Sequence, residues 1–170
     1  MRFTTTYESP LGTLTLEADG AALTALRLPV WRQPPQQQEP AQEEDALPVF
    51  LLAKRWLDVY FSGKNPGDPP PLATAGSAFQ ELVWEELEKI PYGKLTTYGA
   101  IAKTLEDKTG RRVSAQAVGG AVGRNPLAIL IPCHRVVGAD GSLTGYGGGL
   151  DSKIRLLAVE HSRRADESAS

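Results

Sequence analysis

The spacing of apolar residues divides the chain into a first part with strand patterns and a second part with helix patterns. Residues 13–18 alternate between apolar and polar side chains, which is typical of a half-buried strand. The pair Asp19-Gly20 predicts a hairpin turn before the apolar residues 23–28. A helix over residues 47–61 is predicted from positions at helical spacing: Phe50, Ala53, Leu57 and Phe61. These elements predict a small antiparallel sheet with one helix across its face.

The second part opens with a helix start signal. Ser77 and Gln80 form a capping box, which satisfies backbone donors at a helix N-terminus. The apolar face predicted behind it consists of Phe79, Leu82, Val83, Leu87 and Ile90. Thr96 or Thr97 can cap a short helix, and Ser114 can cap another after a polar turn. Two short helices across a turn predict a helix-turn-helix.

A last helix is predicted over residues 151–161. Its apolar stripe is expected to consist of Leu150, Ile154, Leu157 and His161. Glu160 lies three and four positions after Leu157 and Leu156, so its carboxylate is either drawn against the core or solvated. From the pattern alone, the solvated position is favoured.

Two polar or proline-rich segments interrupt these patterns. Residues 31–44 are rich in Gln, Pro and Glu, which predicts a mobile loop to which we assign no function. Residues 66–71 end in three consecutive prolines and predict an extended linker. We therefore predict two domains, residues 1–75 and residues 76–170, and an α+β (α/β) fold.

Charge is distributed unevenly along the chain. The net charge of −2 over 170 residues, taken alone, argues against a nucleic-acid partner. Residues 89–135, however, hold 8 Lys and Arg against 2 Asp and Glu. Such a basic segment fits a phosphate-facing surface, because the field that a polyanion meets is local within about 10 Å. A solvated face with randomly placed charges is an equal alternative.

Cys133 is the only cysteine, and His134 beside it is one of two histidines. A single cysteine excludes an intramolecular disulfide and leaves too few Cys and His ligands for a structural zinc site, so we expect no metal. We also expect no cofactor. No targeting segment or apolar run of about 20 residues is present, which predicts a cytoplasmic protein without membrane contact. A thiol beside an imidazole is the place where nucleophilic chemistry is best sought.

Glycines mark two further stretches. Gly119 and Gly120 lie inside the second short helix, where each costs about 1 kcal/mol relative to alanine. That helix has almost no long polar side chain, so it is poorly suited to reading base edges in a major groove. Close approach to a narrow groove or another backbone, and close packing in the core, are equal explanations. Residues 144–149 can approach a flat ligand with backbone alone.

The order of these stretches resembles the O6-alkylguanine-DNA alkyltransferase family, whose members are also called methylated-DNA–protein-cysteine methyltransferases. The likeness covers roughly residues 77–161 and rests on Ala117-Val118-Gly119-Gly120-Ala121, Arg124-Asn125-Pro126, Ile131-Pro132-Cys133-His134-Arg135-Val136 and Thr144-Gly145-Tyr146. The family implies an N-terminal ribonuclease-H-like domain with a small antiparallel sheet and a helix. It also implies a C-terminal winged-helix-like domain whose helix-turn-helix binds the DNA minor groove.

The resemblance also implies a reaction and the residues that perform it. The Cys133 thiolate takes an alkyl group from guanine O6 in a single turnover, after the nucleotide is flipped out of the duplex. A free thiol with a pKa of about 8.5 is mostly protonated at neutral pH, so His134 is implied as base through a water, oriented by Glu160. Tyr98 rotates the nucleotide and neutralises the leaving group. Asn125 ties the helix-turn-helix to the active-site turn.

The implied partner is double-stranded DNA containing O6-alkylguanine, bound through the minor groove by a monomer. DNA contacts are implied for Ser114, Ala115, Gln116, Ala117, Gly119, Arg124 and Arg135, and pocket walls for Tyr146, Gly147 and Gly148. Many members carry an arginine that inserts into the base stack, and Gln116 stands at that position here. Glutamine can bond the orphaned base but brings no charge.

Two other classes of function stay open. A lesion sensor or winged-helix regulator would bind DNA without repair, although such relatives replace the residue at the position of Cys133. A cysteine hydrolase is disfavoured, because only His161 supplies a histidine distant in sequence and no oxyanion-hole motif is evident.

Overall fold

The N-terminal part of the computed structural model is a four-stranded sheet. The described residues of the chain are 2–29, 42–141 and 150–169, with side chains described as far as His161. The strands are β1 (Phe3–Ser9), β2 (Gly12–Ala18), β3 (Leu23–Arg27) and β4 (Gln42–Glu43). Their order is β3-β2-β1-β4, with the first three antiparallel and β4 parallel to β1. The predicted antiparallel sheet is confirmed.

Local hydrogen bonds explain the turn and the edge of this sheet. The Asp19 carboxylate accepts from the backbone N–H groups of Ala21 and Ala22 at 3.0 Å each, which confirms the predicted hairpin turn. The prediction of a loop over residues 31–44 is wrong at its C-terminal end, where the chain forms a short strand. Gln42 N–H donates to Arg2 O at 2.9 Å and begins β4. Pairing through backbone alone needs no apolar side chain, so the hydrophobic pattern does not reveal it.

Helix α1 (Pro48–Phe61) covers the sheet and begins with proline at its first turn. The predicted positions Phe50, Ala53 and Leu57 are fully buried. The fourth position differs, because Tyr60 is fully buried while Phe61 is only half-buried. The ring of Tyr60 is therefore inside the molecule at the end of α1, and its buried hydroxyl needs a hydrogen-bond partner.

The outer edge of β3 joins the two parts of the chain. Leu23 N–H donates to Pro71 O, and Ala73 N–H donates to Leu23 O, both at 2.8 Å. Leu26 N–H donates to Pro126 O at 2.9 Å. The proline-rich segment predicted as a linker is thus fastened to the sheet at its end. One hydrophobic core runs through both parts.

Three helices with the predicted caps follow: α2 (Ala78–Glu88), α3 (Tyr98–Thr109) and α4 (Ala115–Val122). Ser77 and Gln80 form the capping box of α2, Thr97 caps α3 and Ser114 caps α4. Helices α3 and α4 form the predicted helix-turn-helix, and α3 ends at Gly110 in the left-handed conformation. The buried face of α2 is rotated toward Trp84, which donates to Ala121 O of α4 at 2.9 Å.

Short elements complete the fold. Strands β5 (Thr96–Thr97) and β6 (Val136–Val137) pair in parallel and bring the start of α3 beside the chain that follows Cys133. Helix α5 (Leu150–Ala169) is the last element. Within the described ranges, no helix is both long enough and apolar enough to cross a membrane.

The buried face of α5 differs from the prediction. Leu150 and Ile154 are 50% and 46% exposed, and His161 is exposed as well. Lys153, Leu156 and Glu160 are fully buried instead. These three residues follow the spacing i, i+3 and i+7 on one helical face. The predicted apolar stripe is wrong because Lys153 and Glu160, two charged residues with hydrogen-bond partners inside the protein, occupy the buried face.

Candidate active site and nucleic-acid interface

A tightly turned segment carries the chain from α4 to Cys133. The buried Asn125 accepts from Leu127 N–H at 3.0 Å and donates through Nδ2 to Ile131 O at 2.8 Å. Ile129 has a φ of 70° and is the one non-glycine residue with a positive φ within the described ranges. A branched residue in this conformation costs about 1–3 kcal/mol and persists only where its surroundings impose it. Asn125 supplies part of that constraint.

Cys133 begins a single 3-10 turn, Cys133–Arg135, and is 1% exposed. The charge of Cys133 affects the pKa values of two groups, Tyr98 and Lys153. Burial raises the pKa of Tyr98, and the negative charge of Cys133 raises it further. Burial lowers the pKa of Lys153, and Cys133 opposes that shift. A phenol and an ammonium group thus lie within electrostatic reach of the thiol.

Glu160 is the centre of a buried hydrogen-bond cluster. Its carboxylate accepts from four donors: His134 Nε2 at 2.5 Å, Tyr60 Oη at 2.7 Å, Arg135 Nε at 2.8 Å and Gly93 N at 3.0 Å. Burial alone would raise the pKa of Glu160, but the hydrogen bonds from His134 and Arg135 and the charge of Arg135 outweigh it and lower the pKa to about 2. The carboxylate is therefore ionised and held in one orientation.

The ionised carboxylate determines where His134 carries its proton. An anionic oxygen can only accept, so His134 Nε2 must be the N–H that donates to Glu160 Oε2. Burial lowers the pKa of His134, against the opposing effect of Glu160, and favours the neutral ring. Nδ1 then holds a lone pair, and it has no hydrogen-bond partner among the described residues. His134 is thus a buried neutral base with one nitrogen available.

Arg135, predicted to contact DNA, faces the interior instead. It is 7% exposed and donates to Glu160 and, through Nη1, to Ile90 O at 2.8 Å. Its guanidinium also lies 5.7 Å from the centre of the Tyr92 ring. A basic residue counted in the charged segment therefore fixes a buried carboxylate, and this position gives no support to Arg135 as a DNA contact.

Two residues of this cluster were missed by the sequence patterns. Lys153 is fully buried, and its Nζ donates to Val136 O at 2.6 Å. Lys153 lies seven positions before Glu160, which places the two side chains on one face of α5, and this spacing could have indicated it. Tyr60 comes from the other part of the chain, and no local pattern connects it with Glu160. Only the packing of α1 against α5 and the Cys133 turn brings them together.

The outer face of α4 consists of small residues apart from Gln116. Ser114, Ala115, Gln116 and Ala117 are exposed, and so is Arg124 beyond the helix end. A Cβ on Gly120 would meet nothing within 4 Å, and one on Gly119 would make only ordinary contact with the Tyr98 ring at 3.8 Å. Close packing inside the protein therefore does not explain Gly120. The smallness leaves a surface that a large partner can approach closely.

Some predicted features cannot be placed or are not found. Tyr146, Gly147 and Gly148, predicted as pocket walls, lie outside the described residues. The part of the chain that the structure describes contains no group of three or more His, Cys, Asp or Glu that could hold a metal ion. His161, which a cysteine hydrolase would need, is exposed on α5, whereas Glu160 bonds His134.

Comparison with known proteins agrees with this site. Residues 3–66 match the model of the 6-O-methylguanine DNA methyltransferase ribonuclease-like domain, and residues 78–162 match that of the DNA binding domain. The chain therefore belongs to the 6-O-methylguanine DNA methyltransferase family. The predicted α+β fold, with a ribonuclease-like N-terminal domain and a C-terminal DNA-binding domain, is confirmed.

Individual relatives match over nearly the whole chain. A methylated-DNA–protein-cysteine methyltransferase of Haemophilus influenzae is 41% identical over 157 residues, which span 92% of this chain and 84% of that protein. The crystal structure of Mycobacterium tuberculosis OGT in complex with DNA is 42% identical, with a TM-score of 0.79 and coverage of 93% and 92%. An O6-methylguanine DNA methyltransferase structure from Methanococcus jannaschii is 29% identical, with a TM-score of 0.63 and coverage of 92% of each chain.

Proposed function

We propose that Cys133 is the acceptor in the alkyl-transfer DNA repair that this methyltransferase performs. The observation that carries this proposal is the state of His134. His134 Nε2 donates its proton to Glu160 Oε2, with 2.5 Å between the two atoms, so the lone pair at His134 Nδ1 stays available. A neutral base beside the single cysteine is what activation of a thiol needs.

The reaction follows from these groups. The Cys133 proton passes through a water molecule to His134 Nδ1, and the thiolate attacks the alkyl carbon on guanine O6. A carbon–sulfur bond forms as the carbon–oxygen bond breaks, and the bond electrons return to guanine. The Tyr98 hydroxyl gives a proton to the departing base. The product thioether has no easy route back to a thiol, so each molecule reacts once.

Lys153 stabilises the thiolate in this scheme. Its ammonium group is fully buried and fixed on Val136 O at 2.6 Å, and its charge interacts with that of Cys133. A cation in a low-dielectric site favours the anionic form of a nearby thiol. Together with Asn125, which fixes the preceding turn, Lys153 prepares the cysteine before substrate arrives.

The substrate is double-stranded DNA containing O6-alkylguanine, bound by a monomer in the cytoplasm, where thiols are kept reduced. The exposed small face of α4 enters the minor groove, with Ser114, Ala115, Gln116 and Ala117 along it and Gly119 beneath Tyr98. Arg124 lies beyond its end. The damaged nucleotide is flipped out to reach the buried thiol, at a cost of a few kcal/mol. Tyr146, Gly147 and Gly148 are the proposed pocket walls.

Intact-mass measurement tests the assignment directly. The protein is incubated with duplex DNA that contains O6-methylguanine, and the chain is weighed before and after. We expect a gain of one methyl group that maps to Cys133 and is absent in Cys133→Ser. The methylated fraction should stop at one equivalent per chain even with excess substrate. An unchanged mass with retained DNA binding would identify a lesion sensor instead.

A further inference from the structure

Tyr60 connects the N-terminal domain to the reactive centre of the C-terminal domain. It lies near the end of α1, inside the range matched by the ribonuclease-like family model, whereas Cys133, His134 and Glu160 lie in the DNA-binding range. Its hydroxyl donates to Glu160 Oε2 at 2.7 Å. The same oxygen accepts the proton of His134 Nε2, which lies 3.4 Å from the Tyr60 oxygen. Two donors therefore share one carboxylate oxygen.

Aromatic packing gives the hydroxyl little freedom to leave this position. The Tyr60 ring stacks on Trp56 with centroids 5.6 Å apart and planes 7° apart. The edges of Phe61 and Tyr92 meet it at 5.2 Å and 6.2 Å. The next acceptor, Leu156 O, lies at 3.5 Å, farther than the carboxylate. The residue is fully buried, so water does not compete for its proton.

We propose that Tyr60 is a positioning residue for alkyl transfer: by bonding the Glu160 oxygen that holds His134, it keeps the imidazole neutral with Nδ1 available as base. The proposal rests on the function proposed above. In this role Tyr60 acts on the base through Glu160.

The sign of the effect follows from charge balance. The Tyr60 proton stabilises the Glu160 anion most when His134 is neutral, because a protonated imidazole already compensates that anion. Loss of the hydroxyl therefore favours protonation of His134. Burial and then Glu160 raise the pKa of Tyr60 well above its ordinary value, so the hydroxyl stays a donor throughout the working pH range.

Other charged groups around the cluster stay in place when the hydroxyl is removed. Arg135 on the Cys133 turn and Lys153 on α5 both oppose protonation of His134. Tyr92, in the segment after α2, faces the Tyr60 ring. Since these groups are common to both proteins, a comparison of Tyr60→Phe with wild type isolates the hydroxyl. Phenylalanine keeps the ring that packs on Trp56.

Nitrogen-15 spectra of histidine-labelled protein measure the effect without DNA. The chain has two histidines, and the exposed His161 serves as the internal reference. We expect Tyr60→Phe to raise the midpoint of His134 titration by roughly one pH unit, equivalent to about tenfold in protonation. The rate of alkyl transfer should then fall about tenfold on the acid side and change little at alkaline pH.

A matched control and a second variant complete the test. Tyr7→Phe removes another hydroxyl–carboxylate bond of the same domain, from Tyr7 Oη to Asp58 Oδ1 at 2.6 Å, and should leave both profiles unchanged. Replacing Tyr60 by 3-fluorotyrosine keeps the ring and makes the donor more acidic, so the His134 midpoint should move down. This variant gives the answer even where Tyr60→Phe does not fold.

Three results would overturn the role of Tyr60. They are an unmoved His134 midpoint in both variants, a shift of opposite sign, and a rate loss that is equal at every pH. Failure of the proposed function has a different signature. If wild-type protein transfers no alkyl group, the reaction assignment fails, while the histidine titration still decides whether Tyr60 controls His134.

Discussion

Helices α4 and α5 depart from an ordinary amphipathic helix in opposite ways. Helix α4 exposes alanine, glycine and a single glutamine where long charged side chains are usual. Helix α5 exposes Leu150 and Ile154 and buries Lys153 and Glu160. Helix α4 lacks a charged outer face, and helix α5 carries charged residues on its buried face. In both, the side that breaks the pattern is the side to which we assign a role in the proposed reaction.

The difference shows what each surface requires. The proposed close approach of α4 to a minor groove requires short side chains on its outer face, and alanine and glycine supply most of that face. A buried base needs an anion fixed among donors, which α5 supplies through Glu160 and its four hydrogen bonds. Departures from local rules are expected at functional sites. Here α5 is compensated within the fold, whereas α4 is not.

The largest effect on this comparison is expected for Glu160→Ala. Removing the carboxylate leaves Arg135 buried without its anion, and we expect the free energy of unfolding to fall by about 3–5 kcal/mol. Urea denaturation measures the loss. Asp151→Ala is the matched control on the same helix, because Asp151 is 84% exposed and pairs with Arg155 only at the surface. That change should cost less than about 1 kcal/mol. Equal losses in the two variants would contradict the burial of Glu160.

A second, smaller effect is the acid dependence of stability. The pKa of Glu160 is about 2 in the folded protein against an ordinary 4.5. Because the folded value is the lower one, the stabilisation is complete above pH 4.5 and is lost as the pH falls toward 2. The expected loss is on the order of 3 kcal/mol. Urea midpoints of wild type should approach those of Glu160→Gln through this range. A constant difference between the two would refute the assignment.

The features that could be predicted from the sequence are those that depend on neighbouring residues. The caps at Ser77, Thr97 and Ser114, the hairpin at Asp19 and the helix-turn-helix all rest on residues within a few positions of one another. Each follows from backbone donors and acceptors that must be satisfied nearby. These features needed no knowledge of the rest of the fold.

The cluster around Glu160 could be predicted only in part. The residues near Cys133 and the resemblance indicate His134 and Glu160, but the charge pattern does not reveal that Arg135 is buried, and the predicted stripe of α5 does not include Lys153. Tyr60 is 100 positions away from Glu160. Hydrophobic periodicity assumes that the buried positions of a helix are apolar, so it predicts the wrong buried face for α5. Only tertiary packing identifies the partners that make burial of these charges favourable.

The smallest expected effect tests the other helix. A methyl group on Gly120 meets nothing within 4 Å, so Gly120→Ala should stabilise the protein by up to about 1 kcal/mol through helix propensity. Gly120→Leu should also fold, but its longer side chain would stand on the face proposed to enter the minor groove. We expect duplex binding, followed by fluorescence anisotropy, to weaken about tenfold or more for leucine and much less for alanine. Unchanged binding by the leucine variant would place the DNA on a different surface, and the absence of long side chains on α4 would then need another cause.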